Sequence, residues 1–359
     1  MPLTRPTVVA AALAVVMLAG CPGPSDDPEA STLAGASDAP ATEVRTARVV
    51  EHVIAISVDG LNPDAIRRLG PSGAPALHRL LAQGAGTLNA RTERELTRTL
   101  PNHTGMVTGR PILGPDGHGV TVNEDNGSTV HASAGRYVAS VFDVVHDHGG
   151  STALYSSKDK LDLIDRSWDA AHGSRDRTGA DDGRDKIDRY RLDTEPDNVS
   201  RLVSRLGSVP DDLSFVHLAE PDAAGHASGF MSSAYLDGVR AADRQIGRIL
   251  SAVSADGDLR DQVAVVLTAD HGGLGGSHSD ATRAADFTVP FVVWGPGVAR
   301  GADLYALNED RRTRPGRARS SYDGSQPVRN AEVANVVTGL LGLPDVPGSA
   351  LGRRQLQVS

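Results

Sequence analysis

Apolar residues occur along this chain in two recurring arrangements. Short, largely unbroken apolar runs fall at 49–58, 151–155, 213–218, 263–269 and 287–294, and each suits a strand covered on both faces. Stretches with helical spacing separate them, at 63–69, 74–83, 138–148, 196–206, 232–253 and 332–341. The longest of these sets Leu236, Val239, Ile246, Ile249 and Leu250 on one stripe, the mark of a core-facing helix. Strands alternating with helices predict an α/β domain with a mostly parallel central sheet flanked by helices on both faces. Two stretches fit neither pattern: 165–195 is charged and irregular and reads as a surface excursion, and the Arg- and Pro-rich run 311–319 reads as mobile.

The N-terminal pattern is different. Residues 1–20 carry Arg5, an apolar run over 8–18 and small residues before Cys21, which is an export signal too short to span a membrane. Leu18-Ala19-Gly20-Cys21 resembles a bacterial lipobox, which implies cleavage before Cys21 and a lipid on its sulfur. The other reading is a plain secretory signal with an incidental cysteine. Cys21 is the only cysteine, so no disulfide forms within the chain. Residues 22–47, rich in Ser, Ala, Asp, Pro and Thr, read as a tether. The expected organisation is a signal at 1–20, a tether at 21–47, a folded domain at 48–347 and a tail at 348–359. The formal charge of −9 becomes −10 once Arg5 is removed. That excludes a bulk nucleic-acid surface and leaves attachment to an anionic membrane to the lipid. An exported protein anchored to a membrane of the cell envelope is the expectation.

Candidate chemistry gathers at strand ends. In the stretch TRTLPNHTGMVTG over 97–109, Pro101 biases Leu100 towards an extended conformation, so Thr99 is expected on a short turn and Asn102 as the cap of the following helix. A hydroxyl at a helix entrance suits anionic chemistry, although simple capping would also explain it. Asp59 ends the first apolar run, where it is either a turn aspartate or a ligand. Asp222 and His226 are four apart, on one face of a helical turn. Asp270 and His271 end the 263–269 run, ahead of two glycines, and His278 is the last histidine of the chain. Mixed imidazole and carboxylate donors favour Zn²⁺ over Mg²⁺ or Ca²⁺, with Mn²⁺ or Fe as substitutes. The chain has 3 lysines, and two of them, Lys158 and Lys160, read as a cationic clamp for phosphate oxygens or as a solvated loop. His118 is taken as structural or substrate-lining, and Tyr155, Trp168 and Tyr190 as stacking or packing residues.

Asp59-Gly60, Thr99-Leu100-Pro101-Asn102-His103, Glu220-Pro221-Asp222 with His226, and Asp270-His271-Gly272 together resemble the alkaline phosphatase superfamily. The similarity covers roughly 49–347 and is strongest to the type I phosphodiesterase and nucleotide pyrophosphatase branch. It implies two divalent metal ions, one held by Asp59, Thr99, Asp270 and His271, the other by Asp222, His226 and His278. It further implies that Thr99 is the nucleophile, passing through a phosphothreonine, with Asn102 and the metals stabilising the phosphoryl oxygens. Lys158 and Lys160 are similar to the lysine pair that phosphonoacetate hydrolases and some monoesterases direct at substrate. The activity implied is hydrolysis of a small phosphoric ester, mono- or diester. Alternatives are a phosphonate hydrolase or phosphotransferase with the same centre, or an inactive metal-binding surface lipoprotein. A formylglycine sulfatase is disfavoured, because the only cysteine lies at the lipidation site. His278 departs from the pattern, standing only seven residues past His271.

Overall fold

The computed structural model describes residues 49–176, 183–352 and 354–359. The signal, Cys21 and the tether lie outside the described residues. The chain opens with β1 (His52–Val58), α1 (Pro63–Gly73), α2 (Pro75–Gln83) and β2 (Ala85–Arg91). Next come α3 (Thr99–Thr108), α4 (Val130–Ala134), α5 (Val141–Asp147), β3 (Thr152–Ser156), α6 (Asp162–Ser167) and β4 (Arg189–Leu192). The second half runs through α7 (Glu195–Leu206), β5 (Leu213–Leu218), α8 (Glu220–Ser228), α9 (Ser233–Ala255), α10 (Gly257–Gln262) and β6 (Val263–Thr268). It ends with α11 (Ala284–Phe287), β7 (Thr288–Trp294), β8 (Ala302–Asp303), α12 (Leu304–Leu307) and α13 (Val333–Leu340).

The strands form one sheet, in the order β4-β3-β5-β1-β6-β7-β2-β8 among the described residues. The β4-β3-β5-β1-β6 half is parallel, and β7 alone runs against its neighbours β6 and β2. The central strands β5 and β6 are buried at every residue, and so is β1 after His52, which is why their sequences are largely apolar, with residues such as Ser57, Ser214 and His217 as buried exceptions. Helices α1, α2, α7, α8 and α9 cluster together, while α3, α5 and α13 form a second group, with α13 packed on β1 and β6. Side-chain caps start several helices. Asn62 accepts from the Asp64 N–H at α1, Ser140 and Asp143 form a reciprocal capping box at α5, and Ser232 caps α9.

The predicted α/β architecture is the observed one, with differences that have physical causes. Strand β2, AGTLNAR, has no apolar run, because it lies towards the β8 edge of the sheet and is bulged against β7. The 165–195 stretch is not wholly a surface excursion: Trp168, Lys186 and Ile187 are buried, and β4 pairs with β3. Within 311–319, Arg312 is buried in an ion pair with Glu332, and Arg314 pairs with Asp303. The C-terminal residues return to the domain, with Leu351 and Leu356 buried and the Ala350 and Leu351 N–H groups donating to the Gly109 carbonyl behind α3.

Candidate metal centre and nucleophile

The parallel strands deliver their carboxyl ends to one edge. Asp59 follows β1, Lys158 follows β3, α8 with Asp222 and His226 follows β5, and Asp270 and His271 follow β6. This is the edge at which open α/β sheets bind ligands. Asp59, Thr99, Asp222, Asp270, His271 and His278 are all buried, whereas the His226 side chain is about half exposed, at 52%.

Two groups of donors face one another. The ligand atoms of Asp59, Asp270 and His271 all lie within 4.8 Å of one another, as do those of Asp222, His226 and His278. His271 Nε2 is 3.4 Å from Asp59 Oδ1, 3.2 Å from Asp270 Oδ2 and 3.9 Å from Asp222 Oδ1, so the groups adjoin. Thr99 Oγ1 stands 3.5 Å from the same nitrogen. His226 Nε2 and His278 Nε2 are 3.1 Å apart, and the His271 and His278 rings stack at 3.6 Å.

The donor chemistry fits two cations. Asp59 Oδ1, Asp222 Oδ1 and Asp270 Oδ2 are buried with no hydrogen-bond partner among the described residues. His271 Nδ1–H donates to the Gly272 carbonyl and His278 Nδ1–H to the Thr97 carbonyl, at 2.9 and 2.7 Å. Those bonds fix the tautomers, so each Nε2 turns a lone pair towards the carboxylates. Lone pairs and carboxylate oxygens at such distances repel unless positive charge lies between them. The electrostatics agree. Burial, followed by the neighbouring Asp59 and Asp222 carboxylates, raises Asp270 well above the usual carboxyl range. Burial alone would also raise Asp59, but Lys158, the His217 hydrogen bond and His271 together take it well below.

The surrounding residues fix the ligands in place. Asp270 Oδ1 accepts the Gly60 and His271 N–H groups, at 3.0 and 2.9 Å. His217 accepts the Ser157 N–H at Nδ1, so its Nε2–H donates to Asp59 Oδ2 at 3.0 Å. Phe230 stands edge-on to both His226 and His278, and its N–H donates to the Gly275 carbonyl on the loop that carries His278. A Cβ at Gly225 or Gly273 would come within 2.6 or 2.3 Å of the Phe230 ring, so these two glycines make room for it.

Three expectations need correction. Asn102 does not cap α3. The helix begins at Thr99 with Arg98 as its cap residue, because Pro101 in a first turn forfeits no intrahelical bond. Asn102 Oδ1 accepts from the Glu93 N–H and the Asn330 side chain, and its Nδ2 donates to the Leu96 and Arg98 carbonyls. Both amide hydrogens are spent on the protein, so none is left for a phosphoryl oxygen. Lys158 Nζ lies 2.7 Å from Asp59 Oδ2 and 2.5 Å from Asp222 Oδ2, clasping one carboxylate of each group rather than standing free as a phosphate clamp. Lys160 is paired with Glu124 at 2.9 Å. His118 is wholly buried, with Nδ1 accepting the Val120 N–H, a structural role. Sequence reasoning missed Asn123, in the irregular 111–128 loop. Its Oδ1 accepts the Leu100 N–H at 3.1 Å, one residue past Thr99, and no protein partner takes its Nδ2 among the described residues.

The sequence profile described as type I phosphodiesterase / nucleotide pyrophosphatase matches residues 53–288. GPI ethanolamine phosphate transferase 1 of Aspergillus fumigatus is 30% identical over 238 residues, 60% of this chain and 22% of that protein. Bis(5'-adenosyl)-triphosphatase enpp4 of Xenopus laevis is 24% identical over 229 residues, 61% of this chain and 46% of that protein. The chain therefore spans less than half the length of either. Among solved structures, an inactive form of murine ectonucleotide pyrophosphatase / phosphodiesterase 5 in complex with AMP superposes with a TM-score of 0.56 at 13% identity. That match covers 83% of this chain and 96% of the other, and it speaks to the fold alone.

Proposed function

Because this chain belongs to the type I phosphodiesterase / nucleotide pyrophosphatase family, we propose that it hydrolyses small phosphoric esters through Thr99. The observation that carries the reading is the meeting of two cation-demanding donor groups, buried but for His226, beside one hydroxyl, with Thr99 Oγ1 3.5 Å from His271 Nε2. Divalent cations, Zn²⁺ by the chemistry of the donors, would be held by Asp59, Asp270, His271 and Thr99 on one side and by Asp222, His226 and His278 on the other, supplying Lewis acidity to the hydroxyl and the leaving oxygen.

The chain's own residues do the rest. Thr99 occupies the first position of α3, where the helix dipole favours a negative oxygen, while the Leu100 N–H is given to Asn123 and the Asn102 N–H to the Arg98 carbonyl. Its Oγ1 forms a bond to phosphorus as the bond to the leaving oxygen breaks, giving a phosphothreonine that water then cleaves. Asn123, fixed by the Leu100 N–H, offers its Nδ2 hydrogens to a phosphoryl oxygen, the role that the family resemblance implied for Asn102. Lys158 keeps Asp59 and Asp222 together by neutralising one oxygen of each.

A second reading, transfer of the phosphoryl group to an alcohol instead of water, is favoured by the similarity to an ethanolamine phosphate transferase. Attachment to an envelope membrane through a lipid on Cys21 rests on the sequence and belongs to the same proposal. The test is turnover of p-nitrophenyl phosphate, bis-p-nitrophenyl phosphate and a p-nitrophenyl nucleotide with Zn²⁺ supplied, in wild type and Thr99→Ala, with and without a simple alcohol. Turnover lost in Thr99→Ala supports the reading, and phosphorylated alcohol among the products supports the transferase form. Equal turnover in both proteins would refute it.

A further inference from the structure

The opposite edge of the sheet holds a cavity that the reaction does not use. It measures about 440 Å³ and is lined by Arg79, Arg260 and Arg300 around Trp294, with Ser254 and Gln83 on its wall. That volume is in the range of small-ligand sites. It lies where β6 begins and β7 ends, while Asp270 follows the far end of β6, about 20 Å away at the usual strand rise. The three arginines come from α2, α10 and the segment after β7, so the fold and not local sequence brings them together.

The charges are not spent within the protein. Arg79 lies over the Trp294 ring with its guanidinium carbon 5.5 Å from the centroid, and it donates to Ser254 Oγ and Gln83 Oε1, both neutral groups. Arg260 and Arg300 are exposed and have no carboxylate partner among the described residues, and Asp261, the acid among the lining residues, pairs with neither. Elsewhere on the surface arginines do find acids, as in Arg67 with Asp64, Arg240 with Asp237 and Arg314 with Asp303. On a chain of net charge −9, three arginines around an aromatic floor with no acid on them form a local anion trap. Val49, the first described residue, packs beside Gly297 of the lining, where a Cβ would fall 2.9 Å from the Val49 side chain.

We propose that this cleft is a second, non-catalytic site for a phosphate-bearing anion, taken either from a lipid headgroup or from free phosphate. The inference does not depend on the catalytic reading. The test uses the full chain with Cys21→Ser, which removes the predicted lipid, beside the same chain carrying Arg79→Gln, Arg260→Gln and Arg300→Gln, and beside Arg300→Gln alone. Vesicles of phosphatidylcholine with and without phosphatidylglycerol probe the headgroup. Inorganic phosphate titrated against Trp294 fluorescence probes the free anion.

Far-ultraviolet circular dichroism and urea unfolding, unchanged in the arginine variants, show that they fold. Affinity should fall about fivefold for Arg300→Gln and about a hundredfold for the triple variant, from the usual worth of one basic residue near an anionic surface. Binding to phosphatidylglycerol vesicles that disappears in the triple variant identifies a lipid headgroup. Phosphate-dependent Trp294 fluorescence without vesicle binding identifies a soluble phosphate. Absence of both, or undiminished binding by the triple variant, overturns the proposal.

Discussion

The buried carboxyl of Glu93 makes the stability of the fold depend on pH. Its side chain is fully buried between β2 and α3, where Tyr322 Oη lies 2.6 Å from Glu93 Oε2 and 2.7 Å from Glu95 Oε2 while accepting the Arg94 N–H. A phenol has one proton and cannot donate to two carboxylates, so one of the two glutamates must carry its own. Burial, which outweighs the nearby Arg329, pushes the Glu93 carboxyl up from 4.5 to about 7. The folded protein therefore holds a proton that the unfolded chain has already released above pH 4.5. Stability falls as the pH rises from about 4.5 to 7 and levels off beyond, by about 3 kcal/mol in all. Glu93→Gln stays neutral and can still donate to Tyr322. It should match wild type near pH 4.5 and exceed it by roughly that amount above pH 8. Urea unfolding of both proteins at each pH, followed by tryptophan fluorescence at fixed metal, measures the difference, in which groups common to both cancel. A difference that stays constant from pH 5 to 8.5, or a variant less stable at high pH, would refute the reasoning.

Other expectations concern the centre. His278→Ala should lower the occupancy of one metal position and spare the other, measured as metal per chain after dialysis, and unchanged content would remove His278 from the ligand set. Phe230→Leu, which takes away the ring edge held against His226 and His278, should weaken metal retention about 10- to 100-fold, as loss of an outer-shell partner commonly does, when read by chelator competition. Asn123→Ala should lower kcat/KM about a hundredfold with unfolding unchanged. Asn102→Ala should instead cost about 1–3 kcal/mol in unfolding for each buried group it leaves unpaired. Swapped phenotypes would return the phosphoryl contact to Asn102.

Much of the centre was legible because buried parallel strands advertise themselves. The runs ending at Asp59 and Asp270 and the one preceding Asp222 are largely apolar, and the sheet edge they share is a consequence of parallel pairing. The spacing of Asp222 and His226 on α8 needed only helix geometry. His278 was legible as the last histidine, and the loop that Phe230 ties down brings it to His226 despite its short distance in sequence from His271. What escaped notice depends on contacts remote in sequence. Local rules favour a cap for an asparagine just after proline, yet Asn102 folds back onto Glu93, Leu96 and Arg98. Asn123 sits in a loop with no period, and only its bond to Leu100 gives it meaning. The partners of Lys158 come from the residue after β1 and from α8, 99 and 64 residues away. Trp168 and Lys186 are buried by elements that their own charged neighbourhood does not announce.

Hydrolysis through Thr99 requires Oγ1 to take the phosphoryl group. Wild type and Thr99→Ala, each loaded with Zn²⁺, are mixed with a p-nitrophenyl ester, quenched in acid within the first turnovers, digested and read by mass spectrometry. A phosphoryl group is expected on the peptide containing Thr99 in wild type, with no trapped phosphate and no turnover in Thr99→Ala. Full turnover by Thr99→Ala, or a phosphoryl group trapped on another residue, would contradict it.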